Sequence, residues 1–131
     1  MPQTQKQRVG QIGENAAADW YKAEGYEIIA RNVHESHQEI DLIARNDQSL
    51  VFVEVKTRTQ SAGASSRYGR PADAVDASKR RFTVLAAQRY LRDHPDLAVG
   101  IQPRIDIIEV YLRPDGSVER VRPFRNAFGA R

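Results

Sequence analysis

Three acids and a lysine sit inside two apolar segments, Glu39-Ile-Asp-Leu-Ile-Ala44 and Val51-Phe-Val-Glu-Val-Lys56, where strands that only pack would carry apolar or neutral side chains. Together they have the chemistry of phosphodiester hydrolysis. Hard divalent cations, magnesium or manganese, take oxygen ligands, usually one or two carboxylates with water and substrate phosphate completing the shell. Asp41 and Glu54 would supply those carboxylates. Lys56, two residues beyond Glu54, points the same way because side chains alternate along a strand. An ammonium there orients or helps deprotonate an attacking water, or neutralises charge on a phosphoryl group. A plainer arrangement uses the same residues. Acid-x-Lys triplets are common in half-exposed strands; Glu39 and Lys56 would then form a cross-strand ion pair, with Asp41 turned to solvent.

The element that must hold these side chains is a hairpin. Arg45-Asn-Asp-Gln-Ser-Leu50 contains the turn formers Asn, Asp and Ser, so the chain folds about Asn46 to Ser49. Ala44 then opposes Val51, Leu42 opposes Val53, and Ile40 opposes Val55. One face is wholly apolar, and a slip of one residue would destroy the match. The other face sets Asp41 against Glu54 and Glu39 against Lys56, beside Ile43 and Phe52, whose presence indicates that this face is buried too. Opposed Cβ atoms are about 4.5–5.5 Å apart, and like charges there are destabilising. A cation between the two carboxylates would relieve that conflict.

Around the hairpin the pattern predicts α, three β, α, then two β, a mixed sheet flanked by helices. A helix is expected from Arg8 to Glu24 on the spacing of Val9, Ile12, Ala16, Trp20 and Ala23, with Gly25 as its stop. A strand is expected over Tyr26 to Val33, followed by a polar connection at His34-Glu-Ser-His37. Residues Gln60 to Arg70 read as a loop, and a second helix spans about Asp76 to Arg92. Strands follow at Arg104 to Leu112 and, after the turn at Pro114-Asp-Gly116, near Ser117 to Arg122. Residues 1–7 read as a disordered tail, 8–124 as one domain and 125–131 as a C-terminal tail.

The composition sets bounds. A chain of 131 residues fits one domain with one core. Lys+Arg exceed Asp+Glu by 20 to 17 and the sequence pI is about 9.4, which permits a polyanionic partner without demanding one. Because acids concentrate in the hairpin, the remaining surface is more basic than the total. The absence of cysteine excludes disulfides, zinc-thiolate sites and thiol catalysis. The polar start, Met1 to Arg8, lacks a signal-peptide core, and no apolar run is long enough to span a bilayer, so a cytoplasmic location with no membrane partner is expected.

The sequence resembles the YraN-like family, small bacterial proteins within the restriction-endonuclease-like superfamily and similar to archaeal Holliday-junction resolvases. The matching stretches are Gly13-Glu14, Glu39 to Ala44, Val51 to Arg58, and Tyr68-Gly-Arg-Pro-Ala-Asp-Ala-Val75 with Lys79. The resemblance implies a restriction-endonuclease-like αβββαβ core. It also implies that the superfamily's Asp and acid-x-Lys signature falls on Asp41, Glu54 and Lys56, with a helical acid at Glu14 completing the catalytic and metal-binding set. Gln38 stands where the family commonly has Gly, which changes backbone freedom beside the site and leaves the ligands unchanged. By spacing alone Glu14 reads as a solvated surface residue, opposite the apolar stripe of its helix; the resemblance favours a site role.

Basic residues give the nucleic-acid hint. Arg58, Arg67 and Arg70 bracket the loop after the second hairpin strand, with Tyr68 among them; Lys79 and Arg80 follow on the next helix. Guanidinium groups interleaved with an aromatic hold phosphates and stack on an unpaired base. A solvated basic loop is the plainer reading, and Lys79, on the face of Val75, Phe82 and Ala86, could simply snorkel from the core edge. His34 and His37 read as ordinary loop histidines. The leading expectation is a Mg2+- or Mn2+-dependent endodeoxyribonuclease acting on branched or structured DNA. By analogy with enzymes that make two symmetric cuts, a homodimer is expected. The alternatives are a non-catalytic DNA-binding or recombination-accessory protein retaining the fold, and an interaction module with ion-paired acids.

Overall fold

Asn46 builds the hairpin turn. Its side-chain oxygen accepts the Gln48 and Ser49 N–H groups at 2.9 and 2.8 Å, and its own N–H donates to the Ser49 carbonyl at 3.0 Å. This is how a short polar side chain substitutes for a backbone turn. In this computed structural model, which describes residues 2–35, 37–59 and 77–127, the turn joins β2 (Gln38–Arg45) to β3 (Ser49–Thr59). Ala44 lies opposite Val51 and Leu42 opposite Val53, the register the apolar pattern dictates.

The remaining elements are α1 (Gln5–Ala23), β1 (Glu27–Glu35), α2 (Ala77–Asp93), a short 3-10 turn (Pro95–Ala98), β4 (Gln102–Leu112) and β5 (Val118–Phe124). The strands form one five-stranded sheet in the order β1-β2-β3-β4-β5, antiparallel except for the parallel β3–β4 pair. The α/β architecture and the order of elements are those expected. Some boundaries differ. Helix α1 begins at Gln5 rather than Arg8 because Thr4 and Gln7 form a reciprocal capping box, so residues 5–7 are helical instead of tail. Strand β1 continues to Glu35, so His34 lies in a strand and not in a connection.

Each helix covers one face of the sheet. Ala17, Ala18 and Tyr21 of α1 pack on Leu42, Ala44, Val51, Val53, Ile108 and Val110. On the other face, Ala86, Ala87 and Tyr90 of α2 pack on Ile43, Leu50, Phe52 and Ile105. The inner line of α1 is therefore Gly13, Ala17, Ala18 and Tyr21, and the stripe predicted from Val9, Ile12, Ala16 and Trp20 only flanks it. Gly13, Ala17 and Ala18 carry little hydrophobic signal beside Val9, Ile12 and Trp20, yet small residues allow the closest approach. A Cβ at Gly13 would lie 1.9 Å from Thr57 Oγ1, so α1 sits directly on β3 there. On α2, Phe82, which was expected inside with Ala86, is 54% exposed.

Alternation breaks where the acids are. Ile40 packs in the α2-side core and Leu42 in the α1-side core, although strict period two would give them one face. The expected Ile40–Val55 opposition is accordingly absent: Ile40 pairs with Val33 of β1, and Val55 packs on the α1 side. On β1 the facing residue, Asn32, has a left-handed backbone with φ 52°. Asparagine tolerates that conformation better than most side chains.

At the far end of the sheet, Asp106 is fully buried. It accepts from Tyr21 Oη at 2.7 Å, from Arg104 Nε at 3.0 Å and Nη2 at 3.2 Å, and from the Asn126 N–H at 2.8 Å. Such a charge is tolerable because both carboxylate oxygens are occupied by donors. It ties α1, β4 and the turn after β5 into one body. Asn126 and Arg125, expected in a tail, are part of that body, Arg125 pairing with Glu24 at 3.3 Å.

Candidate active site

The β2–β3 ladder runs from Arg45–Leu50 to Leu42–Val53. At its end the Val55 N–H donates to Asp41 Oδ2 at 2.8 Å, so a carboxylate stands where a strand would present a carbonyl. The expected oppositions of Asp41 with Glu54 and of Glu39 with Lys56 lie beyond this ladder and are replaced. Glu39 takes its backbone partner from β1, at His34. Lys56 pairs with Glu54, Nζ to Oε2 at 2.9 Å, and not with Glu39.

Asp41 is the electrostatic centre. Burial raises its pKa to about 7, the Val55 N–H opposes the rise, and the charges of Glu14, Glu39 and Glu54 add to it. Acids from α1, β2 and β3 thus all act on Asp41. Glu14 reaches them because Gly13 lets α1 rest on Thr57. It is partly buried and its pKa is raised, chiefly by desolvation, with Glu39 adding and Asn32 and Arg31 opposing. It is therefore no solvated surface acid. Arg31 is held by Asn15 at 2.7 Å.

Asn32 was not anticipated. Its amide faces carboxylate oxygens, so its nitrogen, the donor, is the atom that must point at them. In that orientation it donates to Glu14 at 3.1 and 3.2 Å and to Glu39 at 3.0 Å. The residue bridges two acids with a neutral group. A polar Asn within the strand-like run Ile28-Ile-Ala-Arg-Asn-Val33 was the available signal, and its left-handed backbone is what aims the side chain. Glu109 was missed as well. It is fully buried on β4 beside Lys56 in the parallel register, and it accepts from Arg58 Nε at 3.1 Å and from the Tyr111 hydroxyl.

The donor set suits a hard divalent cation in chemistry, being carboxylate oxygens with a local excess of negative charge around the half-buried Asp41. Among the described residues, however, no three carboxylate or imidazole side chains converge closely enough to enclose an ion. Each acid is instead held by a donor: Asp41 by Val55, Glu14 and Glu39 by Asn32, Glu54 by Lys56. Of the other anticipated residues, Arg58 is partly buried and committed to Glu109, and Arg80 is exposed on α2. Lys79 lies in the first turn of α2. Arg67, Tyr68 and Arg70 lie outside the described residues, as does the matching stretch that contains them.

A family model described as "Uncharacterised protein family UPF0102" matches residues 13–110. The chain belongs to this family. The UPF0102 match begins at Gly13 and ends at Val110, so it takes in Glu14, Asn32, Glu39, Asp41, Glu54, Lys56 and Glu109. Relatives share it nearly end to end. UPF0102 protein STH1475 of Symbiobacterium thermophilum is 47% identical over 126 residues, 94% of this chain and 98% of that protein. UPF0102 protein TTE1452 of Caldanaerobacter subterraneus subsp. tengcongensis is 42% identical over 129 residues, 98% and 100% respectively. UPF0102 protein Franean1_1156 of a Parafrankia strain is 43% identical over 122 residues, 93% and 97%. No helix among the described residues is long and apolar enough to cross a membrane.

Proposed function

We propose that this chain is a divalent-metal-dependent endodeoxyribonuclease acting on branched or structured DNA. The observation that carries the reading is Asp41, a half-buried acid at the end of a strand ladder with Glu14, Glu39 and Glu54 acting on it and Lys56 on Glu54. Like charges gathered in one place lower stability, and residues that break local rules are where function is expected. The αβββαβ order and the Asp41, Glu54, Lys56 pattern also resemble the restriction-endonuclease-like superfamily and its junction resolvases. A homodimer and a cytoplasmic setting belong to the same reading.

Asp41, Glu54 and Glu14 would hold Mg2+ or Mn2+, which when bound supplies Lewis acidity toward a phosphoryl oxygen and lowers the pKa of water. The chain's own groups do the rest. Lys56, released from Glu54, would place its ammonium against the attacking water or the charge on phosphorus. Val55 fixes Asp41 through its N–H, and Asn32 keeps Glu14 and Glu39 from repelling apart. A second reading, a DNA-binding protein that retains the fold without cleaving, is favoured by one observation: each of the acids is met by a donor, and among the described residues no three close on a common point.

The test is incubation with four-way junctions, flaps and duplex of matched sequence, with and without manganese. Cleavage by the wild type that is lost in Asp41→Asn, with DNA binding kept, supports the nuclease. Binding without cleavage of any substrate would favour the second reading.

A further inference from the structure

The face of β3, β4 and β5 that continues from Lys56 carries two arginines that no motif drew attention to. On β3, Lys56 and Arg58 follow Glu54 at period two. The parallel register places Glu109 beside Lys56 and Tyr111 beside Arg58. The next register places Arg122 beside Glu109 and Arg120 beside Tyr111. On β5, Val121 packs into the α1-side core, so Arg120 and Arg122 project to the opposite side. This row holds four cations, Lys56, Arg58, Arg120 and Arg122, against two carboxylates, Glu54 and the fully buried Glu109.

Both outer arginines are exposed and lie against aromatic rings. The Arg120 guanidinium lies 4.7 Å from the Tyr111 ring centroid and that of Arg122 lies 5.1 Å from the Phe124 ring, Arg122 also hydrogen-bonding Tyr111. A cation–π contact restrains each guanidinium over its ring and leaves N–H donors for an anion. Two strand spacings separate Lys56 from Arg122, about 10 Å. The row thus extends outward from the acidic cluster far enough to meet more than one phosphate of a strand.

Resting on the nuclease reading above, we infer that Arg120 and Arg122 of β5 contact the phosphate backbone of the bound DNA, extending the site across the sheet from Lys56. The contact is to backbone and carries no base readout. An edge strand also benefits from charge as protection against pairing with other chains, so the experiment must separate the two roles.

Affinity for a four-way junction and for duplex is measured by fluorescence anisotropy over a salt series in EDTA, so that binding is read without cleavage. Arg120→Gln with Arg122→Gln removes both charges and keeps part of each stem on its ring; the two single Gln variants and the double Lys variant are measured beside it. The log-log salt slope is expected to shrink by about two in the double Gln variant and by about one in each single variant, at ~0.9 per phosphate contact. Affinity at a fixed moderate salt should fall by about tenfold or more. The double Lys variant should keep most of the slope. If wild type binds and the single and double Gln variants show its slope, these arginines only guard the edge, and this inference falls while the nuclease reading stands. If wild type binds no DNA of any form, the reading beneath it falls as well.

Discussion

Asp41 sets a measurable pH dependence. Its pKa is raised from the usual 3.8 to about 7 by burial and by three acidic neighbours. The folded chain therefore holds a proton that the unfolded chain has released over that interval, and stability contributed by this group is present below about pH 4 and lost as pH rises through 7. A displacement of about 3 in pKa corresponds to about 4 kcal/mol between the two forms. Asp41→Asn keeps an oxygen for the Val55 N–H and carries no charge. In EDTA it should melt above wild type at pH 8, by up to about 4 kcal/mol, with the gain shrinking toward pH 5. Parallel melting curves with a constant offset would remove Asp41 as the titrating group. Deleting the charge of Glu54 should give no such relief, since Lys56 already lies 2.9 Å from it. Asn32 makes the complementary case. Asn32→Gly tolerates the left-handed backbone and lacks the bridging amide, so it should cost about 1–2 kcal/mol in EDTA. Asn32→Asp adds a fifth charge and should lose more, yet gain more than wild type from manganese. Equal manganese shifts in wild type and Asn32→Asp would show that the acids do not share a cation.

At the scale of elements, α1 is held to the sheet by what it lacks. Gly→Ala in a helix ordinarily gains about 1 kcal/mol. Gly13→Ala should instead lose about 1–3 kcal/mol, because the new Cβ would meet Thr57 Oγ1 at 1.9 Å and overpacking strains both elements. Thr57→Ala in that background should recover part of the loss; a fully stable Gly13→Ala, read by denaturant midpoint, would mean that α1 shifts freely. This contact also explains what the sequence could and could not reveal. The hairpin register was legible because folding the chain about Asn46 to Ser49 sets Ala44 against Val51 and Leu42 against Val53, and the turn because Asn46 has one obvious use. The inner face of α1 was not, since glycine and alanine carry little hydrophobic signal. The placement of Asp41 was half legible. Its residue type announced a site, but its capture of the Val55 N–H depends on β1, where Asn32 breaks alternation, and no pairwise hairpin pattern contains a third strand.

For the molecule as a whole, a cation bound only by the folded state should raise the melting temperature by mass action, by roughly 2.7 kcal/mol at a hundred times its dissociation constant. Manganese should do this for wild type and far less for Asp41→Asn, and a calorimetric scan that shows equal shifts would place the ion elsewhere. The Asp106 latch has a different consequence, which concerns the order of synthesis. Its donors come from Tyr21 and Arg104 and from the backbone of Asn126, and the Tyr21 contact alone spans 85 positions of sequence. A chain ending before Arg125 would leave one side of a buried carboxylate short of a donor, at about 1–3 kcal/mol. During translation, therefore, α1 and the acid-bearing hairpin leave the ribosome well before the strand and turn that lock them. At about 5–20 residues per second, β4 emerges several seconds after β3. Whatever structure α1 and the hairpin take before then lacks both the β4 neighbour and the Asp106 latch, which only the last turn completes.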